Sequence, residues 1–213
     1  MYNLFKFIED KRSEYRVPFK LKLLYKPESI TNEELDVKGG LYLSNKPIQS
    51  LPNNLKVGGD LDLSNTSIQS LLNGLEVEGY LNLNKTSIQS LPNDLKVGGD
   101  LYLNNCKNLK SLPNGLKVGG SLDLDNTPIQ SLPNGLEVKD FLDLSNTLIQ
   151  SLPNSLKVGG SLSLSNTPIQ SLSNDLKVGG NLGLYNTPLS KKYTREELKA
   201  KYPDLKVKGK IYL

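Results

Sequence analysis

Apolar and polar positions in this chain recur on a beat of twenty residues. From residue 55 to residue 74 the sequence reads LKVGGDLDLSNTSIQSLLNG, and lightly edited copies restart at Leu35, Leu75, Leu95, Leu116, Leu136, Leu156 and Leu176. As a rule the unit is L-x-V-x-G-x-L-x-L-x-N-T-x-I-Q-S-L-P-N-x. Leu61 and Leu63 alternate with Asp60, Asp62 and Ser64, the mark of a half-buried strand with leucines inward. Val57, Ile68, Leu71 and Leu75 supply the other walls of the same core. Twenty residues are too few for a helical hairpin repeat or a propeller blade, but enough for one coil of a solenoid. One coil cannot bury its own apolar face, so the coils must stack. The predicted fold is an all-β-like repeat solenoid of about ten coils with short helical caps at both ends.

The pattern divides the chain into a helical cap over residues 1–16, a solenoid over 17–189 and a final helix and strand over 190–213. In the first piece Leu4, Phe7 and Ile8 fall on one helical face, read as a lid over the open end of the stack, with an amphipathic docking helix as the other use. Aligned at an offset of twenty, Val17, Phe19, Leu21, Leu23 and Pro27 fall on Val37, Gly39, Leu41, Leu43 and Pro47, so this stretch reads as a degenerate first coil. Strands are then expected at Leu21, Leu41, Leu61, Leu81, Leu101, Leu122, Leu142, Leu162, Leu182 and Ile211. Pro52, Pro92, Pro113, Pro133 and Pro153 predict an extended or 3₁₀ return rather than a long helix. Near the end, Thr194 followed by Glu197 is a capping box, which predicts a helix from Arg195 to Lys201 stopped by Pro203. Lys208 and Lys210 then discourage further pairing at the last strand.

Two columns invite a backbone explanation. The glycine column of Gly39, Gly59, Gly79, Gly99, Gly120, Gly160, Gly180 and Gly209 admits Asp140, which points to a left-handed turn before each strand. The Asn-Thr pairs, such as Asn65-Thr66 and Asn126-Thr127, are expected to stack as a hydrogen-bonded ladder at the corner after the strand. One unit, from Leu95, has twenty-one residues and places Cys106 in the threonine column, where a buried structural thiol is expected.

These residues resemble a known family. Leu61-x-Leu63-x-x-Thr66-x-Ile68, with Leu-Pro returns such as Leu51-Pro52-Asn53-Asn54-Leu55, is similar to the leucine-rich repeat of the short bacterial type. The unit around Cys106 resembles its cysteine-bearing variant, and the near-identical copies with VGG before the strand look like repeat proteins of large phages and giant viruses. The resemblance spans residues 17–213 and departs from the family in having Thr where the family has Asn after the strand. It implies a protein-interaction module that uses its strand face, the concave one.

Charge and composition narrow the chemistry. The net charge is +4, yet residues 35–187 hold 11 Lys against 13 acids, and the basic excess gathers after Pro188. That basic end suits an acidic partner or nucleic acid, but a solvated cap is the simpler account and nucleic acid is not expected. With no His and one Cys, triads, common zinc sites and an internal disulfide fall away. The start lacks a cleavable leader and no apolar run spans a bilayer, so a cytoplasmic protein, in the producing or a host cell, is expected.

Outward strand positions vary while core positions do not. Tyr42, Asp60, Asp62, Tyr80, Asp100, Tyr102, Asp123, Phe141 and Asp143 form a face of aromatics among carboxylates, the expected binding site. Drift at unconstrained positions, where β-propensity favours Tyr and Phe, is the plain alternative. Asp123 and Asp143 on adjacent rungs have the spacing of a retaining glycosidase, but no feature of the sequence raises either carboxyl pKa, and no catalytic residue is expected. Asp123, Asp125 and Asp143 could offer oxygens to Ca²⁺, but too few for a full shell, and neither metal nor cofactor is expected. The expectation is therefore a monomeric, non-enzymatic module binding a host-cell protein. The alternative is a structural or adhesive component, of a virion or other surface, that binds glycan.

Overall fold

The computed structural model describes residues 17–213. The expected helix within residues 1–16 lies outside the described residues. The repeat forms a parallel β-solenoid with two nine-stranded sheets. The first runs from Asp36–Val37 to Lys206–Val207, the second from Leu41–Tyr42 to Ile211–Tyr212, and each coil gives a two-residue strand to both. Register is fixed by the repeat: Val57 pairs with Val77, and Leu61 with Leu81. At in-register spacing the nine rungs span roughly 38 Å.

The core lies between the sheets and the return segment. Leu61, Leu63 and Ile68 are fully buried, with Val57, Leu71 and Leu75 beside them, and the equivalents in every coil join one continuous cluster. Each such aliphatic contributes about 1.5–3 kcal/mol of burial before ordering entropy is subtracted. The return stays non-helical from coil to coil, closed by short turns such as Leu95 N–H to the Pro92 carbonyl at 3.2 Å. Cys106 is fully buried; its thiol lies 3.0 Å from the Leu83 carbonyl of the preceding coil and 3.5 Å from the Thr86 hydroxyl. The extra residue of its unit is taken up in the turn that follows, closed by Leu109 N–H on the Cys106 carbonyl.

Four expectations are corrected. The second sheet accounts for the leucine strand, but the Lys-Val segment before the glycines forms a sheet of its own, which the single valine per coil did not announce. The strand count is nine, because Phe19–Tyr25 is a helix, α1, rather than a coil around Leu21. Pro18-Phe19 stands where later coils have two glycines, and FKLKLLY is rich in good helix formers, so α1 buries Leu23 over the stack instead.

The glycine column is not left-handed. A Cβ on Gly99 would lie 2.9 Å from the Gly79 carbonyl carbon and oxygen, so the reason is close approach of successive coils. Backbone bonds climb this column: Gly79 N–H to the Gly59 oxygen at 3.0 Å, and Gly99 to Gly79 at 2.9 Å. At Asp140, the one position of this column with a side chain, the corresponding bond to Gly120 is 3.3 Å. The left-handed position belongs to the asparagines: φ is 55° at Asn65, 59° at Asn126 and 57° at Asn166. Asn tolerates that region better than other chiral residues.

The threonines do not form a ladder either. Each Oγ1–H donates within its own coil, three residues back, as Thr66 does to the Leu63 carbonyl at 2.7 Å and Thr127 to that of Leu124 at 2.7 Å. Inter-coil side-chain bonds occur instead at some asparagines, such as Asn186 to Asn166 at 2.9 Å.

At the far end Pro188–Lys192 and Arg195–Lys201 are helices α2 and α3. The Thr194–Glu197 capping box closes α3 as the sequence predicts, with Leu198 buried and Tyr202 reaching back to the Leu172 N–H at 3.2 Å. Among the described residues no helix is long and apolar enough to cross a membrane.

Candidate functional site

The two-residue strands of the second sheet turn every other side chain outward, and the parallel register stacks these in columns. Tyr42, Asp62, Asn82, Tyr102, Asp123, Asp143, Ser163, Gly183 and Tyr212 form one column by direct pairing. Asp60, Tyr80, Asp100 and Phe141 precede the strands in their coils and form the neighbouring column. All nine predicted site residues therefore lie on one face. Tyr42 is 50% exposed and Phe141 38%; the others are half-buried.

The middle of the face is organised by hydrogen bonds. The Tyr102 hydroxyl donates to Asp100 Oδ2 at 2.7 Å, and its ring meets that of Tyr80 edge to face at 5.9 Å between centroids. That acceptor bond, then burial, pushes the Tyr102 phenol up to about 12, since ionising it would break the bond and set two anions together. Burial, then the Asp60 charge, raises the Tyr80 phenol as well. Tyr42 donates to Asp60 Oδ2 at 3.4 Å. Phe141 stands apart from the tyrosine pair, one rung beyond Asp123.

The carboxylates have a structural half that the alternation of polar and apolar residues does not disclose. Asp60 Oδ1 accepts from the Tyr80 N–H of the next coil at 3.1 Å, and Asp100 Oδ1 from that of Ser121 at 2.6 Å. Oδ1 of Asp62, Asp123 and Asp143 each accepts at 2.9 Å from the N–H two residues on, in Ser64, Asp125 and Ser145. This local Asx pattern fixes the side chains against the strand. Asp123 is nonetheless held above the usual carboxylate range, first by burial and then, against its backbone bond, by the charges of Asp143 and Asp125. The sequence showed nothing that would raise a carboxyl on this face; the half-buried position of Asp123 does so.

Among the described residues no group of three or more acidic or thiol side chains is placed to hold a metal ion. Asp125 turns instead to Asn146, whose Nδ2 donates to it at 2.7 Å. The outward column of the first sheet has another character. Glu76 sits between Lys56 at 3.5 Å and Lys96 at 2.7 Å, and Glu137 pairs with Lys157, so the glutamates of this column are paired and lysine is in excess along it.

No protein-family model matches the sequence, and no curated protein matches it.

Proposed function

We propose that this protein is a non-enzymatic binding module of the leucine-rich-repeat type that engages a protein partner through the open face of its second sheet. One observation carries the reading: exposed and half-buried aromatics, Tyr42, Tyr80, Tyr102 and Phe141, stand on a rigid, solvent-facing sheet whose core needs none of them. Aromatic side chains offer large contact area at low entropy cost, and anchors of this kind dominate interface energetics. The repeat, the Leu-Pro returns and the buried Cys106 support the family assignment, while Thr in place of Asn after the strand remains its departure.

The test compares faces. Tyr102→Ala with Phe141→Ala should weaken capture of a partner from host lysate, each anchor costing about 2 kcal/mol of binding, with folding nearly unchanged. Gln130→Ala with Gln150→Ala, exposed on the return side, should leave capture intact. The reverse result overturns the proposal. Retention on a glycan array that the tyrosine and phenylalanine variants abolish, with no protein captured, would favour the adhesive reading instead.

A further inference from the structure

Resting on that reading of the face, we infer the chemistry of its partner: an extended, lysine- or arginine-rich protein segment laid across the rungs of the second sheet. The argument begins with charge. The two columns of the candidate site and a third beside them, running from Ser44 through Asp125 to Tyr185, carry Asp60, Asp62, Asp100, Asp123, Asp125 and Asp143 on the first eight rungs, and no Lys or Arg before Lys210 on the ninth. Among the described residues no lysine or arginine forms an ion pair with any of the six, whereas the first sheet answers Glu76 and Glu137 with lysines of adjacent coils. The glutamates of one face are paired with lysines, and the aspartates of the other are not.

The fold does not need those charges. At equivalent positions neutral side chains make the same bonds to backbone. Asn82 Oδ1 accepts from the Asn84 N–H at 3.0 Å, as Asp62, Asp123 and Asp143 do in their own coils. In the neighbouring column Ser161 accepts from the Asn181 N–H at 2.9 Å, and Asn181 from that of Lys210 at 2.8 Å, as Asp60 and Asp100 do. An acceptor suffices for the structure, so the negative charge at five of the six positions is surplus to folding.

Shape and spacing select the partner. The carboxylates are too dispersed for one metal ion: Asp60 and Asp62 stand on the second rung, Asp100 on the fourth, Asp123 and Asp125 on the fifth and Asp143 on the sixth. The second, fourth and sixth rungs thus give a repeat of two, and the fifth adds a pair between them. With rungs ~4.8 Å apart that repeat is about 9.6 Å. An extended polyproline-like segment advances ~3.1 Å per residue, so side chains three apart recur at about 9.3 Å and meet every second rung. Tyr80 lies between Asp60 and Asp100, with Tyr102 beside Asp100 on the fourth rung, and their rings give a guanidinium a surface to stack on. Anionic surfaces, nucleic acid and acidic lipid alike, are repelled by this face.

The probe is a blocked peptide with arginine at every third position and alanine or proline between, titrated calorimetrically against the full chain at low salt. A peptide of the same length with glutamate for arginine and the polyamine spermine are the comparators. The arginine peptide should bind and weaken as salt rises, and Asp100→Asn with Asp143→Asn should weaken it about tenfold, since two exposed pairs are lost. Asn preserves the backbone bonds that hold those side chains, and Glu76→Gln with Glu137→Gln on the other sheet should change nothing. No binding, equal binding of the glutamate peptide, equal affinity for spermine, or indifference to the asparagine pair overturns the inference. If a captured partner is lost with Tyr102→Ala yet unaffected by the asparagine pair, the cationic segment falls while the strand face stands. Loss with Gln130→Ala and Gln150→Ala sinks both.

Discussion

Lys85 is the one residue that breaks the asparagine column, and replacing it isolates what that column does. The backbone there is left-handed in every coil: φ is 55° at Asn65, 56° at Lys85 and 61° at Asn105. The local bonding is also the same, Asn65 N–H to the Asn84 carbonyl and Lys85 N–H to that of Asn104, both at 3.0 Å. Lys85 is exposed, so its side chain adds no burial, and the difference between coils reduces to residue type. An ordinary chiral residue loses about 1–2 kcal/mol in this conformation, and Asn recovers part of that. Lys85→Asn should therefore stabilise the protein by about 0.5–1 kcal/mol, raising Tm by roughly 1–4 °C for a domain of this size. Urea unfolding should show a higher midpoint with an unchanged slope. Lys85→Gln removes the same charge without the left-handed preference and should give no gain. Asn65→Ala should cost about 1 kcal/mol. A neutral Lys85→Asn together with a neutral Asn65→Ala would refute the conformational account of the column.

Further expectations concern the glycines, the thiol and the phenol. Gly99→Asn should destabilise by about 1–3 kcal/mol through overpacking against the Gly79 carbonyl, while Gly115→Asn, at φ 76° with open space around it, should be nearly neutral; equal effects in denaturant titrations would reject close approach as the cause. Cys106, fully buried and with its pKa raised chiefly by burial, should resist thiol reagents until denaturant is added, and rapid native labelling would contradict the packing. In a spectrophotometric titration the Tyr102 phenol should ionise near its raised value of about 12, and Asp100→Asn should bring it down. Because the folded value is raised, its stabilising contribution is complete below the ordinary tyrosine range and is lost as pH climbs through that window, so alkaline unfolding of the variant should be less steep.

The solenoid was legible because the repeat is redundant: eight near-copies put leucine at both strand positions, and no other architecture stacks that pattern. The helix at Arg195–Lys201 was legible from its capping box. What escaped were features set by contact between coils. Whether a recurring glycine serves a positive φ or a near approach depends on the coil beneath it, and Asp140 pointed to the wrong one of the two because the stack accepts a side chain at that rung. Phe19–Tyr25 aligned with the repeat by its leucines, yet lacked the glycine pair that lets a coil approach its neighbour. The face itself followed from alternation, but the division of each carboxylate between a backbone bond and a free charge needed coordinates.

Solenoid energetics explain how such a face is sustained. Each coil touches only its neighbours, so repulsion among outward charges is felt rung by rung rather than across the whole domain. The arrangement keeps most of those steps neutral. Asp62 is flanked in register by Tyr42 and Asn82, and Tyr80 stands between Asp60 and Asp100 in the adjoining column. Only Asp123 and Asp143 face each other directly on successive rungs, and there the carboxyl of Asp123 is held above its ordinary range by burial and by that neighbour. Spacing acids with uncharged residues along each column makes the face strongly anionic while leaving one directly stacked pair. Neutral acceptors fill positions of the Asp60 column beyond that pair, at Ser161 and Asn181, where the structural bonds persist without charge. The negative stretch is thus confined to the second through sixth rungs, which lie inside the stack.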